Sequence, residues 1–330
     1  MTRHIHVHLH VSGRVITRDK HGGWEEGKHP RADDGKFGSG SGGKPSGTSK
    51  AKLSATPGAN GLDLNTALPE PDMHIQKALA DKVTQHYPEA VKEYSTLPDA
   101  AGGKVLNTDV ARELSDDYNA DRTKSAAVHE PASWFIKALY ADRLKSMKPG
   151  EKVVFTSGGT GAGKTSAVQH VPVLKMLSED AAIVYDTNMN SMDSAVKKIE
   201  QALEAGGHVS IVHVQRDPVD ALVNGALKRA ASQAKKFGTG RTVPLSEHLK
   251  THVGAADVLA RVAEKYKDDP RVEVHVVDNT RGMGKAGLSD VSFVKGFDYN
   301  DMERKLSDAL ETEYHGGRIP ENVYRATKGA

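Results

Sequence analysis

The sequence predicts an α/β fold: a parallel sheet with helices on both faces, preceded by a polar N-terminal tail. Three observations carry that expectation. Short apolar runs at 152–156, 182–185, 209–214 and 272–277 alternate with stretches of helical spacing. The first of these runs leads into a glycine-rich octet at 158–165, which is followed by helix-forming sequence. Residues 36–60 consist largely of Gly, Ser, Lys and Pro, a composition that cannot bury a core.

Taken in order, residues 4–11 alternate His4, His6, His8 and His10 with Ile5, Val7, Leu9 and Val11, the period of a strand with one apolar face. The histidine face reads either as a transition-metal ladder or as a solvated polar surface. The Gly/Ser-rich linker follows, and helical spacing sets in over 72–86 and 89–94. Residues 104–107 read as a strand. Ser125 caps a helix running to about Met147, with Val128, Trp134, Phe135, Ala138 and Leu139 on its apolar stripe. Beyond the octet, a helix is expected to start at Thr165, and 182–185 form a strand ending in Asp186. A helix over 193–205 is closed by Gly206 and Gly207, and 209–214 form the next strand. Asp217 and Pro218 start a helix as cap and first residue. A loop at 238–244, a helix over 245–266, a strand at 272–277 and a last helix over 300–313 complete the chain. Three regions are expected: a tail over 1–60, a nucleotide-binding domain over 61–290 and a helical extension over 291–330.

Composition narrows the function. The 330 residues carry a formal net charge of +2, so no bulk charge calls for nucleic acid or an anionic membrane. With no cysteine there are no disulfides, zinc–thiolate sites or thiol nucleophiles, and a cytoplasmic setting is expected. No apolar run approaches the roughly 20 residues that span a bilayer.

The octet Gly158-Gly159-Thr160-Gly161-Ala162-Gly163-Lys164-Thr165 fits the phosphate-loop spacing G-x-x-x-x-G-K-[ST]. Glycines let the backbone curl so that several N–H groups face one phosphate chain, and the helix that follows adds the positive end of its dipole. Lys164 can reach the β- and γ-phosphates, and the Thr165 hydroxyl can ligate Mg²⁺. Residues 158–166, Ser166 included, are therefore the expected site for ATP or GTP. The alternative is a glycine turn that binds nothing.

Three further groups compete for roles. Asp109, at the end of the 104–107 strand, can accept a proton from a substrate hydroxyl, with Arg112 on the same helix face holding an anionic substrate. Asp109 can equally serve as a helix cap. Asp186 follows an apolar strand beside the loop and suits a Mg²⁺-water ligand or a substrate contact. Arg241 lies in the glycine-flanked loop after the helix that carries Arg229. It looks like part of a mobile lid that places a cation on a transferring phosphoryl group.

Residues from about 104 to 280 resemble the zeta toxin family of phosphate-loop kinases. The resemblance rests on Asp109-x-x-Arg112 with Tyr118, on Asp186, on Arg229 and Arg241, and on Thr242-Val-Pro with His248. It implies a P-loop NTPase/kinase-like fold and ATP-dependent phosphorylation of a sugar hydroxyl on a UDP-amino-sugar. By the same resemblance Asp109 is the base, Asp186 contacts substrate, Arg229 and Arg241 embrace the ATP phosphates, and a small antitoxin is the partner. The order departs from the family, where the phosphate loop comes first; here Asp109-x-x-Arg112 precedes it. A right-handed βαβ unit from 104–107 through the 126–147 helix to 152–157 is expected to bring Asp109 beside the loop. The decapeptide 29–38 resembles segments of tailed-phage proteins. A second reading follows from that tail: a phage-derived nucleotide-binding protein, delivered or docked to a particle, in the host cytoplasm or the virion. Near-neutral charge argues against a third, a nucleic-acid end kinase.

Overall fold

The computed structural model describes residues 52–53, 61–282 and 284–329. The histidine strand at 4–11, the decapeptide and nearly all of the linker lie outside the described residues. Strand β1 (Lys52–Leu53) pairs antiparallel with β2 (Leu62–Asp63). The main sheet has six strands: β3 (Val105–Asn107), β4 (Lys152–Ser157), β5 (Ile183–Asp186), β6 (His208–Gln215), β7 (Val272–Asp278) and β8 (Gly287–Ser289). Their order across the sheet is β3-β5-β4-β6-β7-β8, parallel except for β8, which runs antiparallel at the edge.

Side-chain alternation explains why the sheet is covered on both faces. Val153 and Phe155 of β4, Ile183 and Tyr185 of β5, and Val209 and Ile211 of β6 enter one core, while Val154, Val184, Val212 and Val214 enter another. The first core holds helices α1 (Glu70–Gln85), α2 (Tyr87–Thr96), α5 (His129–Ser146), α8 (Met192–Glu204) and α11 (Leu245–Lys265). Here the Tyr140 ring of α5 meets Tyr185 edge-on at 5.1 Å between centroids and Phe155 at 6.1 Å. Burying an aromatic ring of this kind stabilises the fold by about 1.5–3 kcal/mol. Helices α6 (Lys164–His170) and α7 (Pro172–Asp180) cover the second face through Ala167 and Leu174.

Short helices α3 (Thr108–Ala111) and α9 (Pro218–Ala221) follow the ends of β3 and β6, and α4 (Asp116–Ala120) follows a 3-10 turn at Arg112–Leu114. Asp217 caps α9 as expected, accepting the Asp220 N–H at 2.9 Å. A π-helical turn, Leu222–Leu227, joins α9 to α10 (Lys228–Phe237). At the C-terminal end, α12 (Tyr299–His315) and α13 (Glu321–Lys328) pack on α9 to α11 in a third core.

Several sequence expectations are corrected. The 105–107 and 152–157 strands are not neighbours: β5 lies between them, because Val105–Asn107 pairs in register with Val184–Asp186. Asp109 is thereby brought first to the end of β5. The long helix starts at His129, since residues 122–125 form a separate 3-10 turn capped by Asp121. The helix over 299–315 is not the last; α13 follows it, and β8 breaks the all-parallel pattern.

Candidate nucleotide and phosphoryl-transfer site

The octet lies where the sequence placed it, between the C-terminal end of β4 and the N-terminus of α6. Gly161 adopts φ 74°, and a Cβ there would collide with the Ala221 carbonyl oxygen. Across from it, Gly225 sits in the π-helical turn, where a Cβ would come within 2.6 Å of the Gly161 oxygen. Bare backbone on both sides is what lets the loop and the turn touch. Thr165 is exposed at the first turn of α6, and Ser166 is partly buried beside His170.

The loop is held from four directions. Helix α11 supplies His252, whose Nε2 bonds the Thr160 oxygen at 2.9 Å, and Thr251, whose hydroxyl accepts the Thr160 N–H at 3.1 Å. Asn279, after β7, donates to the Ala162 oxygen at 2.7 Å. Arg216, after β6, donates to the Gly161 oxygen at 3.0 Å and pairs with Asp220 at 2.6 Å. Asn188, after β5, accepts the Gly158 N–H on its carbonyl at 3.1 Å. Neighbouring Met189 takes the left-handed φ of 53° as the chain turns there.

The Lys164 ammonium donates to the Asn188 side-chain oxygen at 2.6 Å and to the carbonyls of Gly158 and Gly159 at 3.2 and 3.4 Å. Desolvation lowers its pKa below the ordinary lysine value, against the opposing pull of Asp186 and Asp109. Arg229 and Arg241 lower it further.

Asp109 is the second residue of α3. Asn107, not Asp109, is the cap: its side chain accepts the Asp109 N–H at 2.7 Å. That leaves the Asp109 carboxylate free for other partners. It accepts from Arg241 Nη2 at 2.6 Å and pairs with Arg112 at 3.3 Å. Desolvation pushes its pKa up, but Arg241, Arg112 and Arg229 more than offset this and hold the carboxyl well below the usual range. Arg112 is buried and donates to His129 Nδ1 at 2.7 Å, which requires that nitrogen to be unprotonated.

Asp186 accepts from Thr156 at 2.5 Å on one oxygen and from Asn107 at 2.7 Å on the other. A carboxylate bonded in this way keeps further lone pairs. The Thr165 hydroxyl and the Asp186 carboxylate are oxygen donors of the kind Mg²⁺ takes, an ion that needs few protein ligands and completes its shell with phosphate and water. Among the described residues no cluster of three or more His, Asp or Glu forms a cage for a metal.

The loop over 238–244 is tied down on several sides, whereas the sequence reads as a mobile lid. Besides the Arg241–Asp109 pair, the Arg241 N–H meets Gln233 at 3.0 Å and Thr239 accepts the Arg122 N–H at 3.2 Å. Thr242 and Thr327 hydroxyls are 2.6 Å apart. The Arg122 guanidinium covers the rings of Tyr118 and Phe237 at 5.5 and 5.2 Å. Arg229 opens α10 and is exposed.

Sequence reading missed the loop's supports: Asn188, Arg216, Thr251, His252 and Asn279. The only local signal was helical spacing, which sets Thr251 and His252 on the same side of α11 as His248. The others lie on turns after different strands, and nothing in their immediate sequence marks them.

A family model described as Zeta toxin matches residues 173–283. The match takes in Asp186, Arg229 and Arg241, and leaves the phosphate loop, Asp109 and Arg112 outside it. No curated protein matches the chain. Among solved structures, the AvrRxo1-ORF1:AvrRxo1-ORF2 complex with sulphate ions is 14% identical, with a TM-score of 0.36, over 51% of this chain and 67% of that one. The same complex with ATP gives the same figures. The PezAT chromosomal toxin–antitoxin system of Streptococcus pneumoniae is 12% identical, with a TM-score of 0.30, over 53% of this chain and 95% of that one. Over residues 173–283, about a third of its length, the chain is similar to the zeta toxin family.

Proposed function

We propose that the protein is an ATP-dependent kinase that transfers the γ-phosphoryl group to a hydroxyl of a small anionic molecule. The zeta toxin match supports a nucleotide-dependent kinase. The observation that carries the reading is one of placement. Arg241 and Arg112 flank Asp109, Asp186 ends the strand paired with the one before Asp109, and Lys164 opens α6 at the end of the phosphate loop. Electrostatic coupling links Arg229 to Asp109 and Lys164. Positive charge there exceeds negative, as a polyphosphate requires. GTP would satisfy the same charges. Residues 61–290 make up the kinase domain in this reading, and 291–330 its helical extension.

Backbone N–H groups of 158–166 other than those of Gly158, Thr160 and Ala162, which are bonded within the protein, hold the β- and γ-phosphates, and Lys164 exchanges its loop carbonyls for them. Mg²⁺, when bound at Thr165 and through water at Asp186, would neutralise charge on the β- and γ-oxygens. Asp109 orients the acceptor hydroxyl. The acceptor oxygen bonds to the γ-phosphorus as the bond to the ADP oxygen breaks. The hydroxyl proton leaves through the Asp109 carboxylate to water. A carboxylate with so depressed a pKa acts mainly by alignment, which is the larger demand of a loose phosphoryl-transfer transition state. Arg241 and Arg229 offset charge on the transferring group, and Arg112 faces the acceptor's anionic portion.

A UDP-amino-sugar is the first acceptor to test, and a small antitoxin the first partner. ADP release by purified protein, measured with and without UDP-N-acetylglucosamine, tests the reading. Acceptor-dependent ADP formation with phosphate on the sugar supports it. Tight ATP binding without turnover on any hydroxyl favours instead the nucleotide-binding delivered or structural protein. Among the described residues no helix is long and apolar enough to cross a membrane.

A further inference from the structure

We propose that the C-terminal helices α12 and α13 brace the arginine-bearing segment 228–242, with Thr327 acting as a positioning residue through Thr242. The inference rests on the kinase reading for its kinetic consequence, but not for its structural one. Both helices lie beyond residue 283, where the zeta toxin match ends.

Packing makes the first link. Leu306 and Leu310 of α12 and Val323 of α13 share one core with Leu227, Ala230 and Leu249. Ala230 is the neighbour of Arg229, and the backbone around Ala230 limits the following loop. A Cβ on Gly240 would collide with the Ala230 carbonyl oxygen. The loop therefore lies directly on the helix that α12 and α13 hold in place.

A hydrogen bond makes the second link, and its direction follows from the geometry. Thr327 is 0% exposed. Its hydroxyl donates to the Val323 carbonyl at 2.7 Å, the usual i−4 bond of a helical threonine. Its proton is thus used, and its oxygen accepts from the Thr242 hydroxyl at 2.6 Å. Thr242 is bonded to Arg241 along the chain, and the Arg241 guanidinium reaches Asp109. A hydroxyl pair at the end of α13, buried at Thr327 and half-buried at Thr242, thereby fixes the backbone from which Arg241 extends. Such support for a catalytic group lies far from the chemistry yet sets its geometry.

The test uses the full chain with Thr327→Val, Thr327→Ser, Thr242→Val and the double valine variant. Valine keeps the volume and removes the hydroxyl; serine restores it. Amide hydrogen exchange over 238–243, thermal unfolding, ATP titration and ADP release are measured on each. In Thr327→Val, exchange over 238–243 should rise and ADP release fall, each on the order of three- to tenfold, the range of one lost hydrogen bond. ATP affinity should stay near wild type, and Thr327→Ser should recover both properties. Thr242→Val should match Thr327→Val, and the double variant should add nothing to either. Unchanged exchange over 238–243 in folded Thr327→Val overturns the brace. So does a rise spread evenly over the whole chain. If wild-type protein releases no ADP, the kinase reading fails, and the exchange measurement still decides the brace.

Discussion

Asp109 and Arg241 are 132 positions apart in sequence, and the Arg241 guanidinium donates to the Asp109 carboxylate at 2.6 Å. With Arg112 on its other oxygen, Asp109 stands between two cations, its side chain still 40% exposed. Asp109 precedes the phosphate loop by helices α4 and α5 and strand β4; Arg241 follows it by two strands, β5 and β6. The pairing joins the two groups proposed to act on the acceptor hydroxyl and on the transferring phosphoryl group.

Replacing Lys164 with alanine removes the ammonium that Asn188 and the loop carbonyls hold. ATP binding should weaken and turnover fall to background while the far-UV spectrum and melting behaviour stay near wild type, because no core residue changes. Calorimetric titration with ATP checks this. Wild-type turnover in the folded variant removes the loop from the mechanism.

Asp109→Asn should leave ATP affinity near wild type and lower phosphoryl transfer by at least about a hundredfold, the scale of a lost general base or equivalent acceptor. Because its neighbours hold the Asp109 carboxyl well below the usual range, the wild-type rate should show no inflection from this group between pH 5 and 8. Asp186→Asn should act differently, shifting the Mg²⁺ concentration needed for half-maximal rate. If the two variants behave alike, the division of roles is wrong.

Arg241→Ala should lower kcat by about a hundredfold or more, the usual loss for a transition-state cation, with a smaller change in nucleotide affinity. Arg229 opens a helix rather than a loop and should affect affinity and rate together. Steady-state kinetics with varied ATP separate the two. An Arg241 variant with normal kcat excludes its proposed contact with the γ-phosphate.

Acid should destabilise the fold through two buried histidines. His248 is 0% exposed and His213 1%. Burial pushes both imidazoles down to about 4, beyond what the Gln215 and Pro218 hydrogen bonds restore. An unfolded histidine titrates near 6.5. Between those values the unfolded chain binds protons that the folded chain does not, so stability is fully present above about pH 6.5 and is lost as pH falls toward 4. Each group contributes a slope of ~1.4 kcal/mol per pH unit at most. Melting temperature measured from pH 7 to 4 should decline, and His248→Gln should flatten the decline. Equal slopes in variant and wild type assign the effect to other groups.

The sequence by itself determined the alternation of strand and helix, the phosphate loop and the helix after it, and the Asp217–Pro218 helix start. Each of these is set by neighbours a few residues apart: side-chain period, glycine at a bend, a cap before a proline. It also marked Asp109, Arg112, Asp186, Arg229 and Arg241 as candidate charged groups, of which the structure pairs Asp109 with Arg112 and Arg241. Only the tertiary structure decided that β5 separates β3 from β4, because strand order is a matter of which backbone edges pair, and Val105–Asn107 pairs best along Val184–Asp186. It also decided that Asn107 rather than Asp109 caps α3, which frees Asp109 to meet Arg241. The supports of the loop, from Asn188 to Asn279, and the Thr242–Thr327 bond were likewise beyond the sequence's reach. Such contacts join turns from distant parts of the chain, and no local pattern encodes a distance across a sheet.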